Sequence, residues 1–287
     1  MNLLSIIIPH HNIPTLLQRC LDSIPDDRNI QVIVVDDNSD PDIVDFEHFP
    51  GEDRKNVEVY LTQEGKGAGY ARNVGLQHAK GEWLLFADAD DFFTLSFYEL
   101  VSRYFDSDVD MVLFKANSVD SETLEPSNRN ENINRRIEAC LAGKITPKEA
   151  SVAVQSPWCK LIRRDFVERN KIYFDEIMAS NDTMFSMKVA CLATQIEICH
   201  KAIYTVTYRL GSLWNSRKNN SKNYLTRLEV QIRRNEYVQQ FGFKPLPVIG
   251  YVIKSTTVSW STFMKALWMA VSKGVLFQGI AYYIKMK

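Results

Sequence analysis

The chain of 287 residues carries 34 basic and 35 acidic residues, and 45% of its residues are hydrophobic. This composition is typical of a folded globular protein, and the length allows one large α/β domain with an appendage or two modest domains. The formal net charge of -1 gives no reason to expect nucleic acid as a partner.

Cysteine usage and hydropathy indicate the cellular compartment. The five cysteines are odd in number and lack CxxC spacing, so neither a disulfide framework nor a zinc site is expected. The N-terminal apolar run stops at Pro9 and is too short for a signal peptide, and no run reaches the ~18 apolar residues of a spanning helix. The sequence therefore predicts a cytoplasmic protein.

Short apolar runs alternate with helical patterns through the first 115 residues. Strands are predicted at residues 3–8, 30–35, 57–61 and 110–114, with a further strand from Trp83 to the acidic residues that follow it. Helices are predicted from Pro14, capped by Asn12, to about residue 24, and at 70–79 and 95–105. This alternation predicts an α/β fold in which a mostly parallel sheet is flanked by helices.

The pattern is less regular beyond residue 115. Residues 117–134 are polar and without periodicity, and we interpret them as a loop or lid. Further on, an apolar segment is predicted at 157–162, helices at 164–169 and 181–193, and strands at 196–199 and 203–208.

Three acidic residues, Asp88, Asp90 and Asp91, directly follow an apolar run. Carboxylates at the carboxyl end of a buried parallel strand lie where open α/β sheets bind ligands. Like charges this close repel one another unless a cation neutralises them, and a hard divalent ion prefers oxygen ligands. The cluster predicts a metal that carries a phosphorylated ligand; the alternative is that these acids only begin the next helix, with Asp91 as its cap.

A second pair of acids, Asp36 and Asp37, follows the second predicted strand. Asp37 can accept a hydrogen bond from a base N–H or a ribose hydroxyl. The alternative is a capped turn, for which the following Asn38 and Ser39 are well suited.

The segment after the third strand offers weaker signals. Residues 65–69 are glycine-rich but lack the spacing of a dinucleotide fingerprint. Arg72, on the next predicted helix, can hold a diphosphate or a base with two parallel hydrogen bonds. An ordinary surface ion pair is the alternative for this arginine.

Several short motifs together resemble the GT-A, family 2 glycosyltransferases. They are SIIIP at residues 5–9 with Asn12, VVDDNS at 34–39, ARNVG at 71–75, GEW at 81–83 and DADD at 88–91. WCKL at 158–161, NDTMF at 181–185 and YRLGS at 208–212 extend the resemblance to bacterial members that build polysaccharides. The resemblance implies a GT-A domain over residues 1–212, with a nucleotide-sugar half at 1–115 and an acceptor half at 116–212.

The resemblance also implies roles on the donor side. Asp37 would contact the nucleoside, with Pro9 and Asn12 lining that pocket, Asp36 beside it and Arg72 helping to hold the donor. Asp88 and Asp90 would form the DxD pair, with Asp90 as the principal Mn²⁺ or Mg²⁺ ligand and Asp91 near the sugar or metal.

On the acceptor side the resemblance makes Asp182 the general base. Chemistry agrees, because an inverting transfer needs a carboxylate to take the proton from the acceptor hydroxyl while a metal stabilises the leaving diphosphate. Helix capping is the alternative for Asp182. The family usually has Glu where this chain has Asn181, so its acceptor side can differ.

Four further residues receive expectations from the same resemblance. Trp158 and Lys160 would border the acceptor, although a core tryptophan is an equal alternative for Trp158. Arg209 and Ser212 would close over the diphosphate, with a solvated strand end as the alternative.

The C-terminal extension, residues 213–287, is predicted to be helical. No acidic residue follows Glu236, and six lysines give the tail a charge of +6. Within residues 247–287, apolar residues recur every three or four positions and lysines share one arc of an ideal helix. This pattern fits peripheral attachment to the cytoplasmic face of a membrane, or a helix or helical hairpin packed on the catalytic domain.

The expected function is a metal-dependent, inverting glycosyltransferase. It would move a sugar from a nucleotide-diphosphate donor, UDP-linked at the level of the family, to a saccharide or lipid-linked saccharide in cell-surface polysaccharide synthesis. Two alternatives stay open: a sugar-phosphate nucleotidyltransferase, and a catalytically inactive, membrane-associated scaffold of a polysaccharide assembly complex.

Overall fold

Strands and helices alternate through the first half of the chain, because buried β-branched runs are separated by helical segments. The computed structural model describes residues 3–209 and 220–280. The strands are β1 (Leu4–His10), β2 (Ile30–Asp37), β3 (Val57–Thr62), β4 (Trp83–Phe86), β5 (Phe92–Phe93), β6 (Met111–Asp120), β7 (Lys160–Arg163) and β8 (Ile196–Tyr208). The helices are α1 (Pro14–Asp22), α2 (Ala68–His78), α3 (Phe97–Ser102), α4 (Glu131–Leu141), α5 (Pro147–Ala153), α6 (Arg164–Arg169), α7 (Thr183–Leu192), α8 (Ser221–Gln239), α9 (Ile249–Lys254) and α10 (Trp260–Ser272).

The strands form one sheet in the order β3-β2-β1-β4-β7-β6-β8-β5. The first four neighbours are all parallel, β7 lies antiparallel between β4 and β6, and β5 is antiparallel to β8. The predicted α/β fold is confirmed, and the parallel pairing holds for its first half. The carboxyl ends of β1, β2 and β4 consequently meet at one edge of the sheet.

The loop or lid predicted at residues 117–134 is shorter in the structure, where turns and irregular chain occupy only residues 121–130. β6 continues to Asp120, a β-bridge joins Val119 to Pro126, and α4 begins at Glu131. The polar character arises because Asn130 and Asn134 donate hydrogen bonds to the backbone carbonyl of Ala116, at 2.8 and 2.9 Å. Side-chain amides that hydrogen-bond to the backbone of a strand leave no hydrophobic periodicity in the sequence, so the pattern did not indicate these elements.

Two other element predictions need correction. Asn12 does not cap α1; Ile13 holds the N-cap position, and Asn12 adopts the left-handed conformation (φ 58°) with its side-chain oxygen accepting from the Asp40 N–H at 2.7 Å. The strands predicted at 196–199 and 203–208 are one strand, β8, whose pairing with β6 shifts register around Lys115.

The C-terminal extension packs through its inner face. Its core consists of Leu228, Ile232, Val248, Val252, Ala266, Ala270 and Val275. The amphipathic pattern is divided between α9 and α10, with a 3₁₀ turn (Ser255–Thr257) between them, so its lysines do not share one continuous helix. No helix in the two described ranges is long and apolar enough to cross a membrane. The predicted domain boundary at residue 212 lies outside those ranges.

Candidate active site

The acidic cluster directly follows β4 at the sheet edge. Asp88, Asp90 and Asp91 each place one carboxylate oxygen within 4.8 Å of the others. Burial, followed by the charge of Asp88, raises the pKa of Asp90, and burial together with Asp90 and Asp88 raises the pKa of Asp91 well above its usual range. The cluster is therefore a group of oxygen ligands whose mutual repulsion a divalent cation would relieve.

Asp91 is held by hydrogen bonds from β8. The Tyr204 hydroxyl donates to its Oδ2 at 2.9 Å, and the Thr207 N–H donates to its Oδ1 at 2.6 Å. The same tyrosine oxygen accepts from the Asp88 N–H at 2.8 Å. Asp91 caps no helix, since Phe92–Phe93 forms β5. These contacts fix the shape of the loop that presents Asp88 and Asp90, and they turn Asp91 toward the protein interior.

Two arginines that the sequence patterns did not single out lie beside the cluster. Arg19 of α1 donates to the Asp90 carbonyl at 2.6 Å and to the Ser121 carbonyl at 2.8 Å. Arg129 donates to the Thr207 carbonyl, and its charge, with that of the predicted Arg209, opposes the rise in the pKa of Asp90. Both newly found residues come from segments without a motif, so only the folded chain reveals them. Ser212, predicted to act with Arg209, lies outside the described residues.

Arg72 connects the acidic cluster to the segment that precedes α7. It donates to Asp88 Oδ1 at 2.5 Å and to Asn181 Oδ1 at 3.0 Å, and its guanidinium lies 5.3 Å from the centre of the Phe174 ring. The residue is only 5% exposed, so the interpretation as a surface ion pair is wrong. Its Nε has no hydrogen-bond partner among the described residues.

Asp182 holds the N-cap position of α7, as the capping alternative expects. Its side chain makes no capping hydrogen bond, so capping does not account for the carboxylate. Burial raises the pKa of Asp182, Arg72 opposes that rise, and Asp88 adds to it. A half-buried carboxylate with a raised pKa is suited to accept a proton near neutral pH.

Asp36 faces the interior rather than a ligand pocket. His10 Nδ1 donates to its Oδ2 at 2.7 Å, while His10 Nε2 accepts from the Ile13 N–H at 3.2 Å, which defines the neutral tautomer. The Ser39 N–H donates to Oδ1 at 2.9 Å. Burial raises the pKa of Asp36, but the hydrogen bonds from His10 and Ser39 outweigh it and the net pKa is lowered. Asp36 is 1% exposed and both of its carboxylate oxygens accept hydrogen bonds from within the protein, so these contacts favour a structural role, and its predicted donor contact stays a prediction.

Asp37 points to the opposite face of β2 and holds the glycine-rich loop. Its carboxylate accepts from the Gly67 N–H at 2.5 Å and from the Lys66 N–H at 3.2 Å. Pro9 pairs with Val35 in the sheet, and the Asn12 N–H donates to Ser39 Oγ at 2.8 Å. Pro9, Asn12 and Asp37 thus lie near the carboxyl ends of β1 and β2, whereas three other predicted donor residues lie on α2 (Arg72) and after β4 (Asp88 and Asp91).

The two residues predicted to border the acceptor are buried. Lys160 is fully buried, its Nζ donates to the carbonyls of Val154 and Ser156 at 2.6 and 2.9 Å, and burial lowers its pKa to about 8. Trp158 is 9% exposed and stacks on Tyr204, with 5.1 Å between ring centres. Both sets of contacts favour a structural role, which was the alternative weighed for Trp158.

The segment of residues 175–181 crosses the glycine-rich loop at close range. A Cβ on Gly69 would lie 2.1 Å from the Asp175 carbonyl oxygen, and Gly67 adopts φ 90°. Arg233 of α8 forms an ion pair with Asp175 at 3.0 Å. The glycines therefore allow residues 175–181 to approach the start of α2 closely.

Comparison with known proteins agrees with this geometry. Residues 5–170 match glycosyl transferase family 2. The chain is 25% identical over 225 residues to the putative glycosyltransferase EpsH of Bacillus subtilis. This match covers 73% of this chain and 62% of EpsH. It is also 25% identical over 283 residues to the uncharacterized glycosyltransferase YibD of Escherichia coli, covering 90% of this chain and 81% of YibD.

A solved structure of Staphylococcus aureus TarS (residues 1–349) has the same fold. It superposes with a TM-score of 0.61 at 21% identity, covering 94% of this chain and 72% of that one. The same fragment in complex with UDP-GlcNAc gives a TM-score of 0.60 at 22% identity, covering 94% of this chain and 73% of that one. The expected GT-A fold is confirmed. The chain belongs to glycosyltransferase family 2 and is a glycosyltransferase enzyme.

Proposed function

We propose that this enzyme transfers a sugar from a nucleoside-diphosphate donor, UDP-linked, to a saccharide or lipid-linked saccharide in cell-surface polysaccharide synthesis. One observation carries the proposal: Arg72 binds Asp88 of the acidic cluster and also Asn181, the neighbour of Asp182. The carboxylate of the proposed base and the carboxylates of the proposed metal site thus both lie near one positively charged side chain, that of Arg72. The binding of UDP-GlcNAc by TarS supports the donor class. The cytoplasm, where nucleotide sugars are available, is the proposed compartment.

The residues of the cluster fit a divalent metal. Asp88 is partly exposed; burial first, and then the charge of Asp88, raises the pKa of Asp90, and a cation would remove that repulsion. Asp90 and Asp88 would hold Mn²⁺ or Mg²⁺, which when bound supplies positive charge for the leaving diphosphate. Arg19 and Arg129 hold the segments around these carboxylates.

Asp182 acts as the general base. Its carboxylate takes the proton of the acceptor hydroxyl while that oxygen bonds to the anomeric carbon and the bond to the diphosphate breaks, so the sugar is transferred with inversion. A positioned base of this kind contributes about 10² to 10⁴ in rate. Arg72 holds Asn181, and with it the start of α7, at a fixed place relative to the donor.

Calorimetry of nucleotide binding tests the donor site. UDP, GDP, dTDP and ADP are titrated with and without Mn²⁺ into the wild type, Asp90→Asn and the matched exposed variant Asp165→Asn. Of the four nucleotides we expect only UDP to bind, and only when Mn²⁺ is present. Asp90→Asn should lose this binding, and Asp165→Asn should keep it. A well-folded wild type that binds none of the four would refute the proposed donor site.

Turnover of the donor tests the base. Asp182→Asn should bind the nucleotide and metal as the wild type does, and its transfer rate should fall by about 10² to 10⁴. Transfer that persists at the wild-type rate would refute the assignment of Asp182.

A further inference from the structure

The C-terminal helix α10 exposes a ridge of large apolar side chains. The outer ridge consists of Trp260, Met264, Trp268 and Val271, which are 71%, 49%, 73% and 56% exposed. At 100° per residue these four positions fall within about 80° of arc on one side of the helix. The opposite side carries the small residues Thr262, Ala266 and Ala270, which are buried against the rest of the extension.

This arrangement reverses the usual amphipathic pattern of a surface helix. Such helices normally turn large apolar residues to the core and polar ones to water. Here the two tryptophans face outward, and Ile253 and Phe277 nearby are also exposed, at 60% and 70%. Single exposed apolar residues need no explanation, but a contiguous group of this kind marks a surface that binds a partner.

The charge beside the outer ridge defines that partner. Lys265 is exposed on α10, about 60° of arc from Trp268 at the edge of the outer ridge, and no acidic residue follows Glu236 in the sequence. Two copies of the ridge facing each other would bring two such lysine-bearing, acid-free surfaces together, so charge repulsion disfavours a homodimer through this face. Tryptophans beside a lysine match a bilayer surface with anionic headgroups.

We propose that the outer ridge of α10 inserts into the interfacial region of a membrane that contains anionic lipids. Trp260 and Trp268 enter the boundary between headgroups and acyl chains, and the adjacent Lys265 contacts lipid phosphates. The helix lies in the plane of the surface and does not span the bilayer.

The packing of the extension connects this surface to the site. α10 packs on α8, α8 packs on α7, and Asp182 precedes α7. Arg233 of α8 also binds Asp175, whose carbonyl meets the glycine-rich loop. Membrane contact would therefore hold the acceptor half near lipid-linked substrates; this consequence, unlike the membrane contact itself, rests on the proposed function.

Vesicle flotation tests the proposal. The full chain, without donor or metal, is mixed with vesicles of phosphatidylcholine alone or with phosphatidylglycerol. We expect flotation with the anionic vesicles, weakened by salt, and a shift of tryptophan fluorescence to shorter wavelength. Trp260→Glu/Trp268→Glu should weaken binding roughly tenfold or more, because both apolar contacts are lost.

The control is Leu95→Glu, which removes a fully exposed leucine from the loop between β5 and α3 and should bind vesicles like the wild type. Circular dichroism and Tm verify that each variant folds. Equal binding by the double variant, or no binding by the wild type, would overturn the proposal. So would a dimer in sedimentation velocity that the double variant abolishes, because the ridge would then bind a second copy. Since no donor is present, none of these results bears on sugar transfer.

Discussion

The close contact at Gly69 allows a quantitative test of how the two halves of the enzyme meet. Replacing Gly69 by Ala adds one methyl group, whose carbon would lie 2.1 Å from the Asp175 carbonyl oxygen and 2.9 Å from Asn181 Cβ. The nearer atom belongs to the backbone and cannot rotate away. The segment of residues 175–181 must therefore move outward, and Asp182 moves with it.

Two opposing terms set the effect of Gly69→Ala on stability. Alanine in a helix is favoured over glycine by roughly 0.5–1 kcal/mol, whereas overpacking costs typically about 1–3 kcal/mol. We expect a net loss of about 1–2 kcal/mol in the free energy of unfolding. The effect on catalysis should be larger, since a displacement of about 1 Å at a reacting group costs on the order of 10²-fold in rate.

Two other glycines separate these effects. Gly75→Ala, in the same helix, would place Cβ 2.5 Å from Ile7 Cγ2 in the core, so it should lower stability while the folded enzyme keeps its rate. Gly250→Ala in α9 meets no atom within 4 Å and should stabilise by up to about 1 kcal/mol. Urea unfolding and steady-state transfer are measured for all three. A Gly69→Ala enzyme that loses no more activity than Gly75→Ala would refute the reasoning.

Two buried groups each make stability rise with pH, one in the acid range and the other in the alkaline range. The pKa of Asp36 is lowered below its usual 3.8, so the folded state binds this proton more weakly, and the stability that the group contributes at higher pH is lost as pH falls through this range. Asp36→Asn should remove that part of acid unfolding and cost about 1–3 kcal/mol at neutral pH, because His10 loses its partner; an unchanged acid transition in urea titrations would contradict it. Lys160 has a pKa lowered from 10.5 to about 8, so between these values the unfolded chain binds more protons and stability rises with pH, by roughly 3 kcal/mol. Lys160→Met should flatten this rise in the same titrations, and an equal slope in both proteins would argue against the buried ammonium.

Local signals were sufficient for the parallel half of the fold. β2 contains the predicted run of residues 30–35, which is buried throughout, and α6 matches the predicted helix at 164–169. The grouping of Asp88, Asp90 and Asp91 was also predictable, since residues within four positions after one strand must lie close together. These features depend on short stretches of chain, where pattern and structure are directly linked.

The direction of individual side chains was harder to predict. Adjacent residues of a strand face opposite sides, so only one of Asp36 and Asp37 could face a ligand, and this signal was available in the sequence. The buried state of Lys160 was not predictable, because β7 pairs antiparallel with two strands that are distant in sequence. The interruption before α10 did have a signal: Ser259 caps it by accepting from the Thr262 N–H at 3.0 Å.

Asn181 shows how a departure from the family pattern fits the proposed chemistry. Its neutral amide oxygen accepts a hydrogen bond from Arg72, so it needs no negative charge to position that guanidinium. A glutamate here would add a further carboxylate near Asp88 and Asp182. Its negative charge would interact with the Arg72 guanidinium more strongly than the neutral amide does. With asparagine, position 181 adds no charge of its own, and Arg72 opposes the rise that burial causes in the pKa of Asp182. The asparagine therefore keeps Asp182, the proposed base, ionisable, while Arg72 still connects Asp88 to the segment before α7.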